Sequence, residues 1–125
     1  MKFLLDTHVL LWWLSDHKSL STKVATEIRN GENTIFVSAV TAWEISIKRA
    51  LGKLQAPDEL EEVIASNSFQ QLPISIRHGL VAGNLPRHHD DPFDRMLIAQ
   101  AQTEQLTIIT HDTRMEQYRV PILLT

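Results

Sequence analysis

An aspartate in the segment Asp91–Arg95 stands where a helix would bury it. Asp91 followed by Pro92 is typical of a helix start, because aspartate accepts hydrogen bonds from free backbone N–H groups and proline suits the first helical position. On a helix that begins there, Asp94 shares one side with the apolar residues Leu97, Ile98 and Ala101. Capping explains Asp91, but it does not explain a carboxylate on a buried stripe, which is costly without a partner. We interpret Asp94 as a candidate for chemistry, with simple helix capping as the alternative.

Glu44 is a second acid on an apolar helix face. Ser38 is a good cap for a helix over residues 39–51, and on that helix Glu44 lies among Val40, Ile47 and Leu51. The alternative for Glu44 is a salt bridge to Lys48, which follows four residues later in the favourable order.

Strands that alternate with helices could bring these acids together. Runs of apolar and β-branched residues predict strands at 2–5, 34–37, 69–72, 106–110 and 120–124. Helices are predicted at 9–14, 22–30, 39–51, 57–66, 75–83 and 92–104. This alternation favours a doubly wound, mainly parallel α/β sheet, in which ligands bind beyond the carboxyl ends of the strands. Asp6 and Asp112 follow two of these strands, so both would lie in that crevice if the two strands are neighbours.

Four converging carboxylates indicate a metal site. Asp6, Glu44, Asp94 and Asp112 would repel one another, and they cannot all stay ionised unless cations compensate them. A set of oxygen ligands favours Mg²⁺ or Mn²⁺ over zinc. Such ions activate water and stabilise in-line displacement at phosphorus, so the expected chemistry is phosphodiester hydrolysis. By the same repulsion, we expect that removing one acid stabilises the metal-free protein.

The six histidines are weaker evidence for other classes of hydrolase than the four acids are for a carboxylate metal site. No His-Glu-x-x-His spacing occurs, so a zinc hydrolase is weakly supported; most of the histidines fit loops, and His111 is the best candidate to approach a substrate. His89-Asp90 suggests a His-Asp phosphohydrolase, but such enzymes are expected to be helical throughout. A response-regulator receiver would need adjacent acids after the first strand and a late lysine, whereas no lysine follows Lys53. A non-catalytic α/β interaction domain is the remaining alternative.

The composition predicts one α/β domain over residues 1–125 in a reducing cytoplasm. Cysteine is absent, which excludes disulfides and a thiolate zinc site. We expect no signal peptide, since Asp6 interrupts the first apolar run, and no membrane partner, since no run reaches about 20 apolar residues. The net charge of −3 argues mildly against binding nucleic acid by bulk positive charge. If four of the acids are gathered into one metal site, however, the rest of the chain is net positive, so a basic rim is compatible with the sequence.

Several packing expectations follow from the same patterns. Leu80 and Val81 are core candidates in the helix at 75–83, and Pro121 places the last strand at a sheet edge. Trp12 and Trp13 cannot share one helix face, so either both are core residues or one lies on a contact surface for a partner.

Four motifs in the same order and spacing resemble those of PIN-domain ribonucleases. They are Leu4–His8, Ser38–Leu54, Asp91–Gln102 and Thr110–Asp112, and the likeness runs from residue 1 to about residue 120. The strongest likeness is to the VapC toxin subunits of VapBC-type toxin–antitoxin pairs. The resemblance implies a three-layer fold with a central, mainly parallel five-stranded sheet flanked by helices, and a metal-dependent endoribonuclease.

By position, the resemblance implies that Asp6, Glu44, Asp94 and Asp112 bind Mg²⁺ or Mn²⁺. Residues that support the site or meet the substrate would be Thr7, Thr110, Arg95 and His111. The implied partners are RNA, a second copy of the chain in a homodimer, and an antitoxin in a hetero-oligomer. The antitoxin's C-terminal segment would wrap the toxin and insert a basic side chain among the acids, as Arg or Lys would in an anionic pocket. One departure from a simple nuclease is the low positive charge after Arg95, where only Arg114 and Arg119 are basic.

Overall fold

The apolar runs of the sequence form a fully parallel five-stranded sheet in the computed structural model, which describes all residues 1–125. The strands are β1 (Lys2–Leu5), β2 (Thr34–Ser38), β3 (Gln70–Leu72), β4 (Thr107–Thr110) and β5 (Ile122–Leu124). Their order is β3-β2-β1-β4-β5. β1 and β4 are neighbours, with Leu5 opposite Ile109, so Asp6 and the residues after β4 leave the sheet at the same edge. The condition that the strands before Asp6 and Asp112 are neighbours is therefore met.

Six α-helices connect the strands. They are α1 (Thr7–Leu14), α2 (Thr22–Arg29), α3 (Ala39–Ala50), α4 (Leu60–Ser66), α5 (Ile76–Gly83) and α6 (Pro92–Glu104), and a 3-10 helix follows β4 at Thr113–Gln117. The predicted caps Ser38 and Asp91 accept hydrogen bonds from backbone N–H groups in the first turn of their helices, and Ser21 and Ser75 cap α2 and α5 in the same way. None of these helices combines the length and the hydrophobicity that crossing a membrane would require.

Two hydrophobic cores cover the two faces of the sheet, as the three-layer expectation requires. Alternate residues of β1 point to opposite faces, so Phe3 and Leu5 lie in one core and Leu4 in the other. The first core includes Val9, Val24 and Ile64, from α1, α2 and α4. The second is filled mainly from α6, by Leu97, Ile98, Ala99 and Ala101. The helix that carries Asp94 is thereby fixed against the sheet.

Some boundaries and core assignments were wrong. The helix predicted at 57–66 begins only at Leu60, where Glu59 provides no side-chain cap. Leu80 is 59% exposed, because α5 packs through His78 and Val81 and leaves Leu80 on the outer face. Leu51 is 62% exposed because it follows the last turn of α3. The edge position of β5 is confirmed, and Pro121, which lacks an N–H, still accepts a hydrogen bond from the Ile108 N–H.

Candidate functional site

Asp6 is fixed between two elements at the carboxyl edge of the sheet. It caps α1, with Oδ1 accepting a hydrogen bond from the Val9 N–H at 2.8 Å. Its Oδ2 accepts a hydrogen bond from the Thr110 hydroxyl at the end of β4. Burial raises the pKa of Asp6 above its usual value, although these two hydrogen bonds oppose the rise. A positive charge brought to this site would therefore favour the ionised carboxylate.

Thr110 joins the ends of β1 and β4. Its hydroxyl donates to Asp6 and accepts a hydrogen bond from the Asp112 N–H at 3.0 Å. Thr110 is completely buried, so its hydroxyl has a fixed direction. It touches Asp6 directly and Asp112 through the backbone, and its role in supporting a metal site stays a prediction.

Glu44 reaches the same edge from α3. It is 5% exposed, and its Oε1 accepts a hydrogen bond of 2.6 Å from the hydroxyl of Thr7, the residue after Asp6. Its Oε2 accepts a hydrogen bond of 2.5 Å from Lys48, so the salt bridge considered as the alternative is present. Glu44 is also close enough to Asp6 for its charge to help raise the pKa of Asp6. The ion pair and the shared acidic site are thus compatible.

Asp94 lies among the other acids in the first turn of α6. Desolvation raises its pKa to about 8, and the negative charges of Asp91, Asp6, Glu44 and Asp112 add to the effect. Each of the other three predicted ligands therefore acts on Asp94 through space. The structure brings together four carboxylates that are separated by up to 106 positions in the sequence.

The pKa of Asp112 is shifted in the opposite direction to that of Asp94. Its Oδ1 accepts hydrogen bonds from the Arg114 N–H and Nε–H, and its Oδ2 accepts one from the same guanidinium at 2.8 Å. These contacts to Arg114 are the main reason why the pKa of Asp112 lies well below its usual value. Arg114 is 61% exposed, so the cation that stabilises Asp112 lies at the rim and can move into solvent.

His89 is the residue in the site that the sequence interpretation missed. It is 4% exposed, and its Nε2 lies 2.9 Å from Oδ2 of both Asp94 and Asp112. Its Nδ1 accepts a hydrogen bond from the Asp91 N–H at 3.1 Å. The available signal was its place two residues before the cap of α6, but no local pattern distinguishes it from the neighbouring His88, which is exposed.

Arg95 supports the loop before α6. Its guanidinium donates hydrogen bonds to the backbone carbonyls of Ala82, Leu85, Pro86 and His89. In this arrangement the donors of Arg95 are turned toward the loop, and its role toward a metal site or a substrate phosphate stays a prediction.

His111 and the two tryptophans lie around α1. His111 is exposed, with its ring 5.4 Å from that of Trp12 and its Nδ1 2.8 Å from the Thr125 carbonyl oxygen. Trp12 and Trp13 are both partly buried against the first core. Trp13 also donates a hydrogen bond to the Asn67 side chain. Each tryptophan therefore combines core packing with a surface contact.

The donor set fits a divalent cation. One carboxylate oxygen each of Asp94 and Asp112 and a ring nitrogen of His89 lie within 4.8 Å of one another, so the two carboxylates are close enough to share one metal ion. Asp6 and Glu44 add buried oxygens nearby, and the raised pKa values of Asp6 and Asp94 identify a place where positive charge is favoured. Carboxylate oxygens are the ligands that Mg²⁺ and Mn²⁺ prefer.

A large cavity lies elsewhere, between α3, α4 and β3. Its volume is about 900 Å³, with Ile45, Leu60 and Ile64 among its apolar lining and Glu59 and Glu62 among its acidic lining. None of the four clustered acids lines it, so the acidic site is a separate feature.

Comparisons with known proteins agree with this architecture. The family model described as PIN domain matches residues 3–121, whereas no curated protein matches the chain. The chain is similar in structure to VapBC2 from Rickettsia felis bound to a promoter DNA fragment, with a TM-score of 0.74, 15% identity, and coverage of 100% of this chain and 99% of that one. It is also similar to FitAcB from Neisseria gonorrhoeae, with a TM-score of 0.72, 22% identity and coverage of 97% and 96%. For DNA-bound VapBC from Salmonella typhimurium the values are 0.69, 18%, 99% and 98%. The three-layer fold is the one shared by these structures, and the chain belongs to the PIN domain family.

Proposed function

We propose that this protein is a metal-dependent endoribonuclease that hydrolyses RNA phosphodiester bonds and acts as the toxin of a toxin–antitoxin pair in the cytoplasm. The proposed ligands of Mg²⁺ or Mn²⁺ are Asp6, Glu44, Asp94 and Asp112. The observation that carries the proposal is the environment of Asp94, whose pKa is raised to about 8 by burial and by neighbouring carboxylates that include the other three. RNA as the substrate follows from the family resemblance.

The residues of the chain prepare the site for a cation. Asp94 holds a proton at neutral pH while no cation is present, and it would give up that proton as positive charge arrives. Thr110 and Thr7 fix the carboxylates of Asp6 and Glu44 by direct hydrogen bonds. When bound, the cation would supply an activated water nucleophile and offset the charge that develops on the phosphate.

Two cations at the rim could bind the RNA backbone. Lys48 contacts Glu44 and Arg114 contacts Asp112, and both side chains are partly or largely exposed. If a metal ion took over these carboxylates, the freed ammonium and guanidinium groups would lie beside the scissile phosphate. This offers a source of positive charge in a chain whose net charge is −3.

The same two ion pairs favour a second candidate, a non-catalytic interaction domain. In that case Lys48 and Arg114 would be permanent partners of Glu44 and Asp112, and no metal would be needed. The observation that favours the nuclease is the half-buried carboxyl of Asp94, whose pKa is raised and which has no Lys or Arg partner of its own.

An antitoxin partner is supported by the shape and charge of the surface. The large cavity has an apolar floor and an acidic rim at Asp58, Glu59, Glu61 and Glu62, which suits an amphipathic segment with basic side chains. A second hollow, lined by Trp13, Leu20 and Arg29, lies between α1, α2 and α4. The comparison structures are themselves named as complexes of VapBC or FitAB type. We propose that a cognate antitoxin occupies this side of the molecule.

The test is cleavage of a mixed RNA substrate by protein purified free of any partner. We expect cleavage with Mg²⁺ or Mn²⁺, no cleavage in excess chelator, and loss of cleavage in Asp94→Asn. The matched control is Asp90→Asn, because Asp90 is an exposed acid four residues away. Cleavage that persists in chelator, or a fully active Asp94→Asn, would refute the metal mechanism. Circular dichroism would show that both variants remain folded.

A further inference from the structure

We propose that His89 is a positioning residue that holds Asp94 and Asp112 together through its Nε2–H and does not itself bind the metal. This inference rests on the proposed function, which it refines by assigning a role to a residue outside the four acids. In this role His89 sets the distance between Asp94 and Asp112, and only oxygen atoms bind the metal.

The ring of His89 is held firmly by the surrounding chain. The His89 N–H donates to the Tyr118 hydroxyl at 2.9 Å, and that hydroxyl donates to the Pro86 carbonyl oxygen at 2.8 Å. Arg95 donates to the His89 carbonyl oxygen at 3.3 Å. His89 is 4% exposed, so its backbone and ring have little freedom.

The contacts of the two ring nitrogens fix the tautomer. The Asp91 N–H points at Nδ1 from 3.1 Å, and a backbone N–H can only donate, so Nδ1 must present its lone pair. The ring proton of the neutral histidine therefore lies on Nε2. From there it donates to Asp112 Oδ2 at 2.9 Å, with Asp94 Oδ2 at the same distance from the nitrogen.

This tautomer disfavours metal coordination through Nε2. Coordination would require the ring proton to move to Nδ1, where it would face the Asp91 N–H and break that hydrogen bond. Asp91 cannot retreat easily, because its own side chain caps α6 by accepting from the Phe93 and Asp94 N–H groups. The geometry leaves the carboxylate oxygens as ligands and gives His89 the task of orienting them.

Asp94 and Asp112 need such an orienting group because they come from different elements and would repel each other once both are ionised. Asp94 lies in the first turn of α6, whereas Asp112 follows β4. His89 Nε2 donates to Asp112 Oδ2 and lies 2.9 Å from Asp94 Oδ2, so one ring nitrogen sets the distance between the two side chains before a cation arrives. Groups that orient metal ligands in this way typically change metal affinity by about 10–100-fold when they are removed.

The test compares metal binding by His89→Ala and His89→Gln with the wild type, using calorimetric titration of Mn²⁺ and Mg²⁺. Glutamine places an N–H donor at a position similar to Nε2. We expect about 10–100-fold weaker binding of both ions by His89→Ala, and binding close to wild type by His89→Gln. The control is His78→Ala, which removes another buried histidine in a separate contact with Glu104 and should lower the melting temperature without weakening metal binding.

Nitrogen NMR of the His89 ring separates positioning from coordination. We expect the proton to be on Nε2 in the metal-free protein and to stay there when Mg²⁺ is added. Loss of that proton on metal addition, or Mn²⁺ binding by His89→Ala equal to that of the wild type, would overturn the inference alone. Absence of Mg²⁺ and Mn²⁺ binding by the wild type would overturn the proposed function, and this inference with it.

Discussion

At the residue scale, Asp94 makes the metal-free protein sensitive to pH. Its pKa is about 8 in the folded state and near 3.8 in the unfolded chain, so between these values the folded state keeps a proton that the unfolded state has lost. The contribution of Asp94 to the free energy of unfolding therefore falls as the pH rises from 4 to 8, and stays at its lowest value above pH 8.

We predict that Asp94→Asn is more stable than the wild type in excess chelator at pH 8–9, by about 1–2 kcal/mol. The reason is that asparagine carries no charge to bury. Urea unfolding at several pH values would measure this, and the advantage of the variant should shrink toward pH 4. A variant less stable than the wild type at pH 9 would contradict the pKa assigned to Asp94.

Removing an acid is not expected to stabilise the metal-free protein in the case of Asp112. Its pKa is lowered because Arg114 and His89 donate to it, so its ionised form stabilises the fold at neutral pH. That contribution is present above the unfolded pKa near 3.8 and is lost as the pH falls below it. The repulsion argument applies to Asp94, which lacks a comparable cationic partner, and not to Asp112.

Arg114 is expected to compete with a metal ion for Asp112. Both oxygens of Asp112 already accept hydrogen bonds from Arg114, so a cation can reach them only when the guanidinium leaves. We predict that Arg114→Ala binds Mn²⁺ several-fold more tightly than the wild type in calorimetric titrations. Arg119→Ala is the control, since Arg119 is an exposed arginine nearby in the sequence. Weaker Mn²⁺ binding by Arg114→Ala alone would show that Arg114 supports the metal site instead.

At the scale of elements, the start of α6 serves both the helix and the site. The Asp91 side chain accepts hydrogen bonds from the Phe93 and Asp94 N–H groups, and its charge also helps raise the pKa of Asp94. We predict that Asp91→Ala lowers the free energy of unfolding by about 1 kcal/mol, whereas Asp91→Asn retains most of the stability because asparagine can still cap. Both variants should lower the pKa of Asp94, which carboxyl NMR would measure. Equal destabilisation by the two variants would show that charge, and not capping, is what Asp91 provides.

The elements that the sequence predicted well are those specified by local signals. β1, α3 and α6 were found because an apolar run, a Ser38 cap and an Asp91-Pro92 start each act within a few residues. The four acids could be proposed because each interrupts such a local pattern. The contacts of His89 could not be predicted, since Asp112 lies 23 residues away and Tyr118 lies 29 residues away. The exposure of Leu80 likewise depends on how α5 is rotated against α6, which periodicity over one short helix does not determine.

At the scale of the whole molecule, the acidic site and the surfaces available to partners are separate. The carboxylates collect at one edge of the sheet, whereas the large cavity lies between α3, α4 and β3. A partner bound in that cavity would reach the acids only if part of its chain extended beyond the cavity. The proposed antitoxin, whose C-terminal segment is expected to wrap this protein, would need such an extension.

The outer face of α5 is an exposed apolar surface that suits contact with a second copy of the chain. The homodimer itself is also a proposal. Ile76 is 85% exposed and Leu80 is 59% exposed, and residues four apart in a helix share a face. Burying both side chains in a symmetric contact would remove apolar area from water, which stabilises a dimer by about 25 cal/mol for each Å² buried.

We predict that the double variant Ile76→Asp with Leu80→Asp is monomeric where the wild type is dimeric, as measured by light scattering after size exclusion. Its melting temperature at low concentration should change little, because neither side chain is in the core. Leu51→Asp is the control, since Leu51 is equally exposed but lies at the end of α3, and it should leave the dimer intact. A monomeric wild type at tens of micromolar, or a double variant that remains dimeric, would place any self-association on another face.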